Sequence, residues 1–517
     1  MQETTPFHIP ELIQLIADYL FRSEIVNFLR VSKYMHRIFI TIVWQDVVVQ
    51  NSRPFPTGPS LQRHAHLIQR FRCYGALPDE YLALRGCDSL STFHFEGGER
   101  LPADLTAFIA AHSATLRDIS INQASWIHWT PSIDFWVALA QCSNLKSLVF
   151  YRLVVLDECL SYFRRIFRTV QSLSFQDLII SDMFLGVQQE EDEGTDGMQL
   201  VFPGPRRIEI SIANSPKHTI APFLQALMIR ACPNLETLKW GPETWSHSGR
   251  TPTNRHSSTY AFLRALAGNP WTLVKLESLD LSGVYFDDED FAQLLGQMRQ
   301  LISLKVHRTR FGRLSFQELI KKREHGEKGH GSDTMYALCD SVRFLWLGSC
   351  PEVTGIMIQT LLASCPKLKE FRGDKVTVSE VAQGQKWVCQ SILRLAIYLE
   401  ADEDDHAPMV SRRKQQAVFG RLGSLTNLRY LELTHGSAQI TRTLDLRLST
   451  GLKSLANLKN LESLSFSGDS QQRTGLREVA WMARQWPKLQ QIVGFTETDK
   501  KIRKKMAVIL VPAGISF

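Results

Sequence analysis

The sequence predicts an α/β protein: a short N-terminal segment of three helices, then a solenoid of strand-plus-helix units, a horseshoe with a concave parallel sheet and convex helices. Three observations predict it. A Leu-x-x-Leu-x-Leu pattern recurs from Cys87 almost to the C-terminus, an amphipathic helical stretch precedes most copies, and residues 9–44 carry their apolar side chains at helical spacing. Alternation over the last three positions of the pattern makes a short strand with one buried face. A unit that buries that face only against its neighbours must stack into an array. With 517 residues, 44% of them hydrophobic, the chain is long enough to build one.

At the N-terminus, Leu12, Ile13, Leu15, Ile16 and Leu20 fall near the i, i+3, i+4, i+8 spacing of one helical stripe. Pro10 suits a first turn, where its missing N–H costs nothing, and Glu11 sits near the positive end of the helix dipole. Ser23 is placed to cap a second helix carrying Ile25, Val26, Phe28 and Leu29, and Ser32 to Ile42 form a third amphipathic stretch ending at Trp44. Helices this short bury little surface alone, and no cysteine is present to staple them. The remaining stabilisation is expected from the rest of the chain or from a partner, which makes Ile13 and Ile16 candidate interface residues.

The run Ile9-Pro10-Glu11-Leu12-Ile13, then Ile16, Leu20, Val31-Ser32 and Trp44, resembles an F-box, with Ile9 standing for the family's usual Leu and Met35 where a tryptophan is often found. The resemblance implies a three-helix F-box over residues 1–50. It also implies that Ile9, Pro10, Leu12, Ile13, Leu15, Ile16, Leu20, Val31 and Trp44 dock on the Skp-type adaptor of a cullin-RING ubiquitin ligase.

Residues 51–86 read as a helical linker. Pro54, Pro56, Gly58 and Pro59 make a turn-rich start, and Leu61 to Cys73 regain helical character through Leu61, Leu67, Ile68 and Phe71. His64 and His66 lack further ligands at metal-binding spacing, so no metal is expected.

Residues 87–517 hold the repeats. Similar segments are CSNLKSLVF from Cys142, CPNLETLKW from Cys232, CPKLKEF from Cys365, LTNLRYLEL from Leu425, LKNLESLSF from Leu458 and WPKLQQIVG from Trp486. Spacings such as Leu90 to Leu116 and Leu276 to Leu301, 26 and 25 residues, are those of leucine-rich repeats, which the array resembles. About twelve to fourteen units are expected up to Gly494. Only Cys350 occupies the place, three residues after the last Leu, where the family often has Asn or Cys. Surplus residues gather in polar stretches starting at Gln188, Gly241, Lys321 and Glu400, read as loops, the second and fourth on one rim. The basic run Lys500 to Lys505 reads as a solvated cap on the last repeat.

Composition narrows the function further. No apolar run is long enough for a membrane span and no secretory signal pattern is present, so a soluble cytoplasmic or nuclear protein is expected. The nine cysteines are odd in number and form no Cys-x-x-Cys pair, which reads as buried thiols in a reducing compartment. A net charge of +7 is mild for this length and does not argue for nucleic acid. Phosphate loops, nucleophile elbows and His-Glu-x-x-His are missing, so a non-catalytic chain without cofactor is expected.

In Leu-x-x-Leu-x-Leu the residues flanking the last two leucines point away from the core. Those positions hold Lys305 and His307, Phe344 and Trp346, Glu370 and Arg372, Arg394 and Tyr398, and Tyr430 and Glu432, whereas other repeats offer Ser120, Ser147, Thr237, Ser278, Ser463 and Ser465. Trp, Tyr and Arg dominate interface hot spots, so Lys305, His307, Phe344, Trp346, Arg372, Arg394, Tyr398 and Tyr430 are the expected contacts to a protein substrate. The resemblance makes the chain a substrate receptor of an SCF-type ligase. The alternative is a leucine-rich repeat scaffold without a ligase role.

Overall fold

The computed structural model describes residues 9–17, 19–50, 56–75, 77–97, 105–123, 128–180, 201–212, 222–242, 256–322, 337–402, 408–433, 443–466, 472, 474–494 and 500–517. The chain divides into two compact units, Met1–Leu235 and Glu236–Phe517.

The first unit opens with helices Pro10–Ala17, Arg22–Phe28 and Lys33–Gln45. They close on a small core of Ile13, Ala17, Ile25 and Phe39, with Phe28 stacked on Phe39 at 5.1 Å. Ser32 caps the third helix, accepting from the Met35 N–H at 3.1 Å. The second helix starts before Ser23: the Glu24 carboxylate reaches back to the Phe21 N–H (2.7 Å), so the chain turns helical at Arg22.

The third helix runs directly into the strand Asp46–Gln50. Six more strands of the same sheet follow in parallel register among the described residues, Arg70–Tyr74, Thr92–Gly97, Asp118–Gln123, Ser147–Tyr151, Ser172–Gln176 and Arg207–Ile212, and Val154–Val155 and Ile179–Ile180 pair in parallel as a separate short ribbon. Asp46–Gln50 and Arg70–Tyr74 precede the expected start of the repeats. Among the described residues of the 51–86 segment, helix is limited to Gly58–Arg63, the single 3-10 turn Ala65–Leu67 and the short helix Asp79–Leu82, and the expected helical character fails at Arg70–Tyr74. The reason is alternation. Phe71 and Cys73 are buried while Arg70, Arg72 and Tyr74 are not, so Ile68, Phe71 and Cys73 are one more Leu-x-x-Leu-x-Leu unit with apolar replacements. Asp46 then pairs with Arg72 across the first two strands.

The second unit has nine parallel strands among the described residues: Thr237–Pro242, Ser278–Asp280, Ser303–Lys305, Phe344–Trp346, Glu370–Thr377, Arg394–Glu400, Tyr430–Glu432, Ser463–Ser465 and Gln491–Val493. Strand-to-strand register is kept by the repeat leucines, for example Leu279, Leu304 and Leu345 side by side. Parallel strands, alternate-residue burial and repeat spacing define the chain as a leucine-rich repeat solenoid in each unit. Cys350 is buried where the family pattern places it, its thiol donating to the Val306 carbonyl at 3.0 Å. All nine cysteines are free and buried.

At the other end of the strand, the turns that enter it are tied by asparagines. Asn144, Asn234, Asn427 and Asn460 each precede the first Leu of a repeat and donate to the carbonyls of Ala114, Pro203, Gln390 and Thr426 in the repeat before, at 2.7 to 3.3 Å. These bonds stitch neighbouring units at their helix-to-strand turns.

The helix Lys500–Leu510 closes the second unit. Met506 and Leu510 are buried, Lys504 and Lys505 are exposed, and the Ile492 N–H donates to the Ser516 carbonyl at 2.9 Å, covering the last strand. The polar stretches 188–197, 243–255, 323–333 and 403–407 lie outside the described residues. Strands Thr237–Pro242 and Arg394–Glu400 lead into the second and fourth, and the helix Arg313–Ile320 precedes the third. No helix among the described residues is long and apolar enough to cross a membrane.

Candidate interaction surfaces

The residues of the N-terminal helices separate into two sets. Ile9, Leu12 and Ile16 recur at i, i+3, i+7 and are exposed, as are Leu15 (57%) and Val31 (66%). Ile13 is not part of this surface. At 1% exposure it is the centre of the bundle, because it shares a stripe with Ala17 that faces Ile25 and Phe39. Leu20 likewise packs against that core, and Pro10 is the first helical residue. Trp44 turns toward the repeats instead of outward: its ring stacks on His64 at 4.7 Å. That contact half-buries His64, and burial, with Arg63 beside it, holds the imidazole pKa below its ordinary value. Tyr19 (89% exposed), Phe21 (77%) and Val26 add to the outward set and were not anticipated. Tyr19 and Phe21 lie between helices, where periodicity says nothing, and aromatic residues in so short a turn were the available signal.

This surface is firmly attached. Arg22 donates to the carbonyls of Val43 (3.1 Å) and Asp46 (2.8 Å), tying the second helix to the junction of third helix and first strand.

On the second unit, most of the expected contacts come together on the open face of the sheet. Lys305, Trp346 and Arg372 are register partners on three successive strands. The Lys305 ammonium lies 4.3 Å and the Arg372 guanidinium 4.2 Å from the Trp346 ring centroid. Since the two cations come from strands on either side of Trp346, they cover opposite faces of the indole, which therefore presents an edge to solvent. Arg372 donates to Glu370 at 3.0 Å, and Glu370 also lies 3.9 Å from Arg394. Arg394 in turn sits over the Tyr430 ring at 4.5 Å and 3.9 Å from Glu432. The Tyr430 hydroxyl donates to Glu462 at 2.7 Å, a hydrogen bond that pushes the phenol above its usual pKa. Side chains locked into such a row lose little further rotamer freedom on binding a partner.

Phe344 is half-buried in the same row, beside Ser303 and Glu370. His307 falls just past the end of strand Ser303–Lys305 and is half-buried there. Tyr398 departs from expectation. It is 7% exposed, because Glu370–Thr377 and Arg394–Glu400 are longer than their neighbours and Tyr398 lies inside the ladder, paired with Lys375 beyond a register shift. Arg343 and Lys369 are exposed at the entries of two of these strands and were overlooked. Both directly follow the first apolar position of their repeat, Val342 and Leu368, a position the outward-facing rule does not include.

The sequence matches no family model and no curated protein. Among solved structures it is similar to TLR13 in the TLR13–ssRNA13 complex, at 11% identity and a TM-score of 0.35, over 83% of this chain and 48% of that one. It is also similar to the plant peptide hormone receptor RGFR1 in complex with RGF2, at 11% identity and a TM-score of 0.33, over 84% and 71% of the two chains. This chain thus spans about half the length of the TLR13 chain.

Proposed function

We propose that this chain is a non-catalytic substrate receptor. Its N-terminal helices bind the Skp-type adaptor of a cullin-RING ubiquitin ligase, and its repeats hold a protein substrate within reach of the recruited conjugating enzyme. One observation carries the reading: Ile9, Leu12, Leu15, Ile16, Tyr19, Phe21, Val26 and Val31 stay exposed around a bundle whose buried core, among the described residues, is Ile13, Ala17, Ile25 and Phe39. Apolar side chains gathered on a small bundle mark a protein interface. The F-box resemblance, whose motif shares Ile9, Leu12, Ile16 and Val31 with this exposed set, names the partner. Rigid attachment through Arg22 suits a receptor, since a substrate has to be held at a defined distance from the ligase.

The test is capture of a Skp-type adaptor and cullin by the full chain. Leu12→Asp and Ile16→Asp place a charge in the interface and should each weaken capture by about 2–4 kcal/mol while the melting temperature of the chain stays put. Ile13→Asp should lose capture together with the helical bundle. Undiminished capture by the Leu12→Asp protein sinks the ligase reading and leaves a leucine-rich repeat scaffold that binds protein.

A further inference from the structure

The row around Trp346 has more cations than anions to meet them. Lys305 and Arg372 converge on it, Arg343 and Lys369 stand exposed at the entries of two of its strands, and the carboxylate among them, Glu370, is already shared between Arg372 and Arg394. Asp280 is beside Lys305 in register, but its carboxylate turns back to accept from the Ser282 N–H at 3.1 Å. Lys305, Arg343 and Lys369 have no carboxylate partner among the described residues. The indole also holds two like charges close together, one on each of its faces, which fixes their positions and leaves their outer N–H groups for another acceptor.

We infer that this row captures an acidic segment of a partner protein, whose anionic side chains seat on Lys305 and Arg372 astride Trp346, with Arg343 and Lys369 gathering the flanking acids. The inference rests on the reading that the open face of the second unit binds a protein. A nucleic-acid backbone suits the row less well, because past Arg372 the sign alternates through Glu370, Arg394 and Glu432, which breaks any continuous cationic track. Carboxylates and phosphorylated side chains share the required chemistry.

The experiment uses the full chain and three fluorescein-labelled probes: an octapeptide of glutamates, the same length carrying two phosphoserines among glutamines, and an all-glutamine peptide. A single-stranded oligothymidine is the fourth probe. The expected result is binding of one or both anionic peptides, none of the glutamine peptide, and a tenfold or greater loss in Lys305→Glu/Arg372→Glu. The charge-conserving pair Lys305→Arg/Arg372→Lys should retain binding, and Trp346→Leu, which frees the two cations, should lose part of it. Preference between the two anionic peptides tells whether the acceptor reads carboxylate or phosphate. Three results overturn the inference: equal binding of the glutamine peptide, no anionic binding, or tighter oligothymidine binding that the same reversal abolishes. Adaptor capture is measured in parallel, so that loss of the ligase reading with peptide binding intact is recognised as a separate failure.

Discussion

The two units use one backbone pattern to opposite ends. In the first, phenylalanines occupy inward strand positions, and Phe71, Phe93 and Phe108 pack with ring centroids 5.0 to 6.1 Å apart. Phe150 lies within 6.5 Å of Trp136, Phe135 and Phe175 in a second cluster. The open face above the second cluster is mostly small side chains, Ser120, Ser147, Ser172 and Ser174 with Val149 between them. In the second unit the inward positions of the central strands are mostly leucines, Leu304, Leu345, Leu395 and Leu431 beside Phe371, while Trp346 and Tyr430 stand outside among cations. A strand has two faces under different demands, so an aromatic residue placed inward adds buried area and one placed outward adds recognition. Composition alone hides this difference. Position in the six-residue pattern reveals it.

The largest effect that tests the contrast is on stability. Phe150 is fully buried, so Phe150→Ala should cost about 3–5 kcal/mol in urea unfolding, from lost transfer energy and the cavity left behind. Trp346→Ala combined with Arg372→Ala should cost about 1 kcal/mol or less in the same assay. Its effect should appear in partner capture instead, as a loss of more than about 2 kcal/mol with adaptor binding intact. A Trp346 variant as unstable as the Phe150 one would show that outward aromatics are structural too, and the contrast would be gone.

A smaller effect follows from a histidine inside the aromatic core of the first unit. His112 is buried with its ring edge against Phe108 at 4.7 Å. Burial, and then Arg85 nearby, hold its pKa below the ordinary value, while a backbone contact to Leu84 and the Asp88 charge pull the other way. The fold therefore accommodates the neutral ring, and the unfolded chain takes up a proton at higher pH than the folded one. His112 contributes stability that is present above the unfolded value of about 6.5 and lost as pH falls below it toward the lower folded value. Hydrogen exchange of the strand Thr92–Gly97 between pH 7.5 and 5 should report that loss, after correction for intrinsic exchange rates. In His112→Leu the slope should flatten. An unchanged slope assigns the pH dependence to other groups.

Much of this was legible in the sequence, for a definable reason. Repeats betray themselves by alternation and spacing, so each strand of the long sheet from Thr92–Gly97 onward corresponds to a pattern visible in the residues, whereas the short pair Val154–Val155 and Ile179–Ile180 does not. The strand Arg70–Tyr74 escaped because Cys73 stands where a leucine was sought and Leu67 and Ile68 lie close enough to imitate a helical stripe. Ile13 was misplaced because adjoining positions on a short helix differ only in what the other two helices cover, and that is a tertiary fact. The outward row was found because β geometry alone assigns it. What geometry could not supply was the pairing within it: that Trp346 is sandwiched, and that Tyr398 is covered where two strands lengthen.

The smallest effect belongs to the serine face, and it bears on where the partner sits. Ser147 is half-buried on the open side of its strand, and the bond that holds it in place is made by its backbone, whose N–H donates to the Arg117 carbonyl at 3.0 Å. Removing the hydroxyl leaves that bond and the inward Leu148 untouched, so Ser147→Ala should change stability by less than about 0.5 kcal/mol. Partner capture should be equally indifferent, because a small hydroxyl supplies little of the buried area or charge that makes a hot spot. The same holds for Ser278→Ala in the second unit, two strands before Trp346. Titrating one captured partner against both serine variants and the Trp346/Arg372 pair ranks the positions directly. If the serine variants lose capture and the pair keeps it, recognition belongs to the polar rungs, and outward aromatics at Trp346 and Tyr430 serve the sheet that carries them.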